Sequence, residues 1–281
     1  MESQTRKLIV NGDDLGRSES NTRGIIEGYR SGIVTSTSIV ASGIAFDLGV
    51  RLAHENPGLG VGVHLFLHEY KPVASPGDIP TLVKADGGFH PLIACLRRIT
   101  LGQVSLQDVT REWEAQVRRV LDAGIRPTHL DGHCHMHAHP RLAGVVAEVA
   151  SKFRIPAARL PSESLLSGSC RSTQRYLETV LINGACWRTR RTWRARLSHP
   201  DAFFGFKQGG RMNTQVFEAI AVALRPGVSE LMVHPGITND DRPYNNGYDW
   251  MGDLTGMTTY TKGDCQSRFG LQLVSYREAW S

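Results

Sequence analysis

Short apolar runs alternate with amphipathic stretches along the whole chain. Leu8-Ile9-Val10-Asn11 predicts a strand that stops on two carboxylates, Asp13 and Asp14. A helix follows, capped at Ser18 or Ser20, carrying Ile25, Ile26 and Tyr29 and closed by Gly32. The β-branched run over 35–40 predicts a second strand, a helical stretch runs from Leu48 to Ala53, and 60–65 predicts a third strand. From Phe66 to about Ile99 the chain is rich in Gly and Pro turns. That is longer than a connection needs, and such loops often shape a site. Ser105 then opens a helix with Val109, Trp113, Val117, Val120 and Leu121 on one face and Gly124 at its stop. Residues 128–133 predict the fourth strand. Leu142, Val145, Val146, Val149 and Phe153 mark the next amphipathic helix, with Pro140 near its start. Short runs at 157–161, 230–235 and 271–276 predict strands five to seven, and a helix bearing Val216, Ile220 and Leu224 precedes the sixth. Strands and helices in this alternation build a parallel sheet, open or rolled into a barrel. No repeat or linker divides the chain, so 1–281 reads as one domain.

Polar residues interrupt this pattern at telling places. Asp13, Asp14, His64, His133, Arg159 and His234 each fall at the carboxyl end of a predicted strand. In barrels and open α/β sheets alike, that is where loops assemble active sites. The densest stretch is His129-Leu130-Asp131-Gly132-His133-Cys134-His135-Met136-His137-Ala138-His139. Four of its histidines alternate from 133 to 139, which in an extended chain places them on one face. A neutral imidazole is the commonest protein metal ligand. The plainer alternative is a solvated, His-rich loop. Cys134 is expected to point away from His133 as a small buried thiol.

Composition narrows the class only a little. With 41% hydrophobic residues a large core can form, and a dispersed net charge of +5 does not imply nucleic acid. The five cysteines are odd in number and show no CxxC pair, as expected of free thiols in a reducing compartment. The first apolar run is too short for a signal peptide's core, and no apolar stretch nears the roughly 20 residues a membrane span needs. A cytoplasmic location is therefore expected. The stretch 187–197 interleaves Trp and Arg. Such a helix can lie on an anionic membrane surface as a peripheral contact. The favoured alternative is a solvated helix with its tryptophans on the core. A homodimer is one arrangement left open.

The chemistry these residues offer is more specific. A mixed set of carboxylate and imidazole ligands with an open position suits a catalytic divalent ion. Of two adjacent aspartates, one can ligate the metal while its neighbour accepts the proton of an attacking water. His234 could protonate a leaving amine, and Arg159 could orient the catalytic carboxylate or serve as a structural ion-pair partner. His135 and His137 are either groups that orient ligands or substrate, or plain polar loop residues. These parts suit metal-assisted hydrolysis of an amide or ester.

Asn11-Gly12-Asp13-Asp14-Leu15-Gly16, Gly62-Val63-His64-Leu65, residues 128–137, Arg159-Leu160-Pro161 and residues 230–236 occur in collinear order over nearly the whole chain. Together they resemble the successive motifs of the YdjC-like carbohydrate deacetylases, a family that includes the chitooligosaccharide deacetylase and the hopanoid-associated deacetylase. The resemblance implies an α/β fold, a distorted TIM-like (β/α) barrel with about seven parallel strands. It implies one divalent cation, Zn²⁺ or Mg²⁺ with Mn²⁺ or Co²⁺ as alternatives, held by Asp14, His64 and His133. Asp13 would be the general base, His234 the general acid, and the substrate an N-acetylated sugar. Leu15 stands where the family usually has Phe, and Gly12 where it has Ala. The tail from Thr238 to Gly270 matches only loosely, which leaves substrate choice open. Two other readings compete: a metal-dependent phosphoesterase, for which no glycine-rich phosphate loop speaks, and a non-catalytic metal- or lipid-binding relative, against which every expected catalytic residue is present.

Overall fold

The first apolar run owes its uninterrupted character to its place at the centre of the sheet. The computed structural model describes residues 5–166, 170–194, 196–245 and 247–280. Among these, eight strands pair in parallel: β1 (Arg6–Leu15), β2 (Ser36–Ile39), β3 (Gly60–Leu65), β4 (His129–Gly132), β5 (Ala157–Ala158), β6 (Ala202–Phe204), β7 (Gly227–Val233) and β8 (Leu271–Leu273). The order across the sheet is β5-β4-β3-β2-β1-β7-β6, with β8 beside the start of β1. One edge of β1 pairs with β7 from Arg6 to Gly12. The other edge is shared, β8 taking Arg6 to Leu8 and β2 taking the end from Asn11. Leu8, Ile9 and Val10 are fully buried, as a strand covered on both faces requires.

The sheet curls until its two ends nearly meet. Ser198 bridges in parallel to Ala157 of β5, accepting from Ala158 N at 2.9 Å and donating to Pro156 O at 3.0 Å. A few residues later the same segment becomes β6 and pairs with β7. The result is the expected distorted TIM-like barrel, a curled half-barrel drawn toward closure. The sequence pattern misses β6 because three residues are too few to show a period.

Nine helices connect the strands among the described residues: α1 (Glu19–Arg30), α2 (Phe46–Glu55), α3 (Leu92–Thr100), α4 (Leu106–Asp122), α5 (Ala143–Phe153), α6 (Thr173–Trp193), α7 (Thr214–Ala223), α8 (Trp250–Thr258) and α9 (Lys262–Phe269). Ser18 caps α1 by accepting from Asn21 N. The apolar face of α4 is buried as its spacing predicts, with Val109, Trp113, Val117 and Val120 wholly inaccessible. Its polar residues do something the pattern does not show. Glu112 accepts from Val73 N and Ala74 N, and Asp108 from Thr81 N, so α4 pins the long segment after β3. That segment also contains α3, where the sequence suggested loop. α6 begins at Thr173, well before the basic stretch 187–197, whose residue 195 lies outside the described residues. Trp193 is buried and donates to Ala143 O at 2.9 Å, but Trp187 is exposed, so only one of the two tryptophans sits on the core.

Candidate active site

Two local departures from regular backbone build the site. β1 does not stop before its aspartates but runs on through Leu15, with an irregular register against β2 between Gly12 and Leu15. Asp14 there adopts φ 75°. Consecutive residues of a regular strand face opposite sides, whereas a bulge can re-aim a side chain. Asp13 and Asp14 accordingly line the same cavity. The second departure follows β4. The histidine-rich stretch is not extended: residues 133–138 form 3₁₀ turns kinked at Cys134 (φ 50°) and His135 (φ 57°). Alternation therefore does not align the histidines. Cys134 is exposed rather than buried, because the kink turns it outward.

A cavity of about 860 Å³ opens at the carboxyl ends of the strands. Asp13, Asp14, His64, His133, His135 and His234 line it; Arg159 and His137 lie behind. His64 Nε2 and His133 Nδ1 face one another at 3.3 Å, and Asp14 Oδ1 lies 3.3 Å from the first and 3.6 Å from the second. The far nitrogen of each ring is held by a carboxylate. His64 Nδ1 lies 2.9 Å from Asp131 Oδ1, and His133 Nε2 lies 2.8 Å from Glu69 Oε2. A carboxylate partner assigns the N–H to the far nitrogen. Two imidazole lone pairs and Asp14 Oδ1, a buried atom with no hydrogen-bond partner, then converge on one point. Lone pairs so arranged repel unless a proton or a cation sits among them.

Asp14 Oδ2 is neutralised by Arg17 Nη1 at 2.8 Å, and Arg17 also pairs with Glu69 at 2.7 Å. Burial would raise the Asp14 carboxyl, but Arg17 and the two imidazoles hold it well below the usual carboxylate range. Asp13 is held differently. Arg159 Nη1 and Nη2 donate to its two oxygens at 2.6 Å each, and Asn11 Nδ2 donates to Oδ1 at 2.8 Å. Arg159 is fully buried, pairs also with Asp131 at 3.0 Å, and donates from Nε to Glu230 at 2.9 Å. Burial would lower its guanidinium, yet Asp13, Glu230 and Asp131 keep it well above its ordinary value. It thus ties the base candidate to the carboxylate that holds His64.

The remaining histidines divide by environment. His137 Nε2 meets Arg159 O at 2.9 Å, and burial pushes its imidazole down to about 4. His135 packs on Phe203 and Phe206, and burial followed by Arg159 pushes it well below its ordinary value. His234 emerges just past β7; its backbone N–H is held by Asp253 Oδ2 at 2.9 Å and its ring packs edge-on against Tyr248. Burial lowers the His234 imidazole, with Asp13 and Asp14 pulling the other way. Sequence reasoning missed Arg17, Glu69, Asp131 and Glu230 as site residues. Asp131 and Glu230 carried a signal, lying in the same short runs as His133 and His234.

Two further donor sets lie close enough to share an ion, His68 with His133 and Cys134, and Asp13 with His64 and Asp131. The second is spent, since Asp13 and Asp131 are both held by Arg159. The first contains the exposed Cys134. Asp14, His64 and His133 form the set whose donors are all buried and whose two rings each have a carboxylate partner.

Comparison with known proteins places this geometry in context. The family model for YdjC-like protein matches residues 7–261. A carbohydrate deacetylase of Geobacillus stearothermophilus is 31% identical over 278 residues, 97% of this chain and 98% of that one. A chitooligosaccharide deacetylase of Salmonella paratyphi B is 37% identical over 177 residues, 61% of this chain and 68% of that one. A crystal structure from Enterococcus faecalis V583, described as a cellobiose-phosphate cleavage protein, superposes with TM-score 0.73 at 25% identity, covering 97% of this chain and 98% of that one.

Proposed function

The chain belongs to the YdjC-like protein family, and from that premise we propose that it is a metal-dependent hydrolase that removes the acetyl group from an N-acetylated sugar. Relatives named carbohydrate deacetylase and chitooligosaccharide deacetylase support sugar deacetylation as the reaction class. The observation that carries the metal is the convergence of Asp14 Oδ1 with the two inward imidazole nitrogens, each ring backed by a carboxylate. Metal-ligating histidines characteristically donate their other N–H to such a partner. A divalent cation held by Asp14, His64 and His133 would supply a polarised carbonyl and a more acidic bound water.

The chain's own residues supply the rest. Asp13, fixed by Arg159 and Asn11, accepts two hydrogen bonds at Oδ1 but one at Oδ2, and with the lone pair left on Oδ2 it takes the proton of the attacking water. Arg159 keeps that carboxylate ionised and aimed. His234, lining the same cavity from a different strand, gives a proton to the departing sugar amine. Asp253 fixes the His234 backbone, and Tyr248 limits the ring's orientation. The C–N bond breaks, and acetate and a free amine leave. Arg17 is already committed to Asp14 and Glu69, which leaves it poorly placed to receive the charge of a phosphoester.

Acetate release from a panel of N-acetylglucosamine compounds, using metal-loaded protein, tests this reading. Asp13→Asn should lower the rate roughly 100- to 10,000-fold, the usual worth of a positioned base. No release from any compound by protein that demonstrably binds metal would overturn it.

A further inference from the structure

His68, His133 and Cys134 form a second set of donors beside the first. Each offers one ligand atom, and the three atoms lie within 4.8 Å of one another. His68 is only 3% exposed, yet its Nε2 has no hydrogen-bond partner among the described residues. A buried polar atom left in this way calls for a partner that the chain does not supply. The ring centres of His68 and His133 stand 5.0 Å apart, and both residues line the cavity. Cys134 completes the set. Its backbone, at φ 50°, breaks the extended run and leaves a free, exposed thiol at the cavity wall.

The two sets differ in the atoms they present. Asp14, His64 and His133 offer one oxygen and two nitrogens, which many divalent ions accept. Sulfur with two imidazoles selects thiophilic ions such as Zn²⁺ or Cd²⁺ over Mg²⁺ and Mn²⁺. We propose that His68, His133 and Cys134 bind a thiophilic divalent cation at a site distinct from the Asp14 set. On binding, the Cys134 thiol gives its proton to solvent and its sulfur bonds the metal. His133 belongs to both sets, so an ion held here draws on a ring that the first ion needs. It also stands in the cavity through which a substrate reaches Asp13 and Asp14. Zinc that fills this second set therefore inhibits turnover, a consequence that rests on the deacetylase reading.

Cobalt alone reports the site, because a cobalt–thiolate bond gives an intense charge-transfer band in the near ultraviolet that oxygen and nitrogen ligands lack. Titration of the full chain with Co²⁺ should raise that band, and Zn²⁺ but not Mg²⁺ should remove it. Cys134→Ser should lack the band. His68→Gln should weaken the cobalt that gives rise to it at least about tenfold, since even an outer-shell partner of a metal ligand is worth that much. Asp14→Asn and His64→Gln each spoil only the first set and should keep it. No band in the wild type, or a band that survives Cys134→Ser, would overturn the proposal. So would its loss in both Asp14→Asn and His64→Gln, since Cys134 would then belong to the first set. Acetate release from a soluble N-acetylated oligosaccharide tests the consequence. As zinc is raised in excess of protein, the wild-type rate should fall while the Cys134→Ser rate stays level; equal inhibition of the two would overturn it. The band needs no turnover, so a cobalt–thiolate band without deacetylation by any form would count against the reaction alone.

Discussion

Replacing Arg159 by methionine tests the electrostatic centre of the molecule without presupposing what it catalyses. The guanidinium is fully buried and serves Asp13, Asp131 and Glu230 at 2.6 to 3.0 Å. Methionine has a similar reach but would leave three buried carboxylates without their cation. Breaking a buried ion pair by removing one partner costs about 3–5 kcal/mol. Against a total stability of about 5–15 kcal/mol, that is a large share. The loss should not triple, because the carboxylates can relieve it by taking protons. Burial already pushes Glu230 up to about 7, with Arg159 and Tyr276 opposing, and loss of the arginine must raise it further. A carboxylate whose folded pKa exceeds its unfolded value contributes stability that is complete below the unfolded pKa and lost as pH rises through the folded one. The deficit of Arg159→Met should therefore be largest above neutrality and shrink toward about pH 5, by up to about 1.4 kcal/mol per pH unit for each carboxylate that takes a proton. Urea unfolding followed by tryptophan fluorescence, run on both proteins across that range, measures this directly. A deficit below about 1 kcal/mol, or one that does not change with pH, would refute the reasoning, since removal of a buried charge partner predicts both its size and its pH dependence.

Two further predictions concern the histidines. Glu69→Ala should weaken divalent-metal affinity about 10- to 100-fold in a chelator competition, because His133 loses the carboxylate that aims its ring; unaltered affinity would remove Glu69 from the site. His129 is stacked on Tyr276 at 3.7 Å, and burial pushes its imidazole down to about 3. Its folded pKa lies below the unfolded value, so stability is complete above about pH 6.5 and drains away as pH falls toward about 3, at up to about 1.4 kcal/mol per unit. Chemical denaturation between about pH 7 and about pH 5 should show that slope, reduced by one proton's worth in His129→Gln; equal slopes in the two proteins would contradict it.

Much of this was legible along the chain because the physics involved is local. An apolar run says that a strand is buried, and a period of 3.6 says which face of α4 meets the core. A polar residue closing such a run, as His64 does near the end of β3, marks the end of the sheet where loops gather. Asp13, Asp14, His64, His133, Arg159 and His234 could therefore be grouped from position alone, whereas the choice of Asp14, His64 and His133 as a ligand set came from the family resemblance. Boundaries suffered where the elements are shortest, as at β6.

Other features depend on which strands become neighbours, and no local pattern carries that. Arg159 and Asp13 are 146 residues apart and meet only because the sheet curls. The same closeness gives His64 and His133 their carboxylates, one from β4 and one from the long segment after β3. The positive φ values at Asp14, Cys134 and His135 likewise cannot be read from the chain, since φ above zero is uncommon for any residue but glycine, even though aspartate and histidine tolerate it better than most. They brought two adjacent aspartates into one cavity and turned Cys134 out of the place that simple alternation assigns it. Sequence by itself determined the element pattern and the identity of the polar groups at the strand ends. Tertiary structure decided their partners, their charge states and the exposed face of α6, because burial and pairing are properties of neighbours in space.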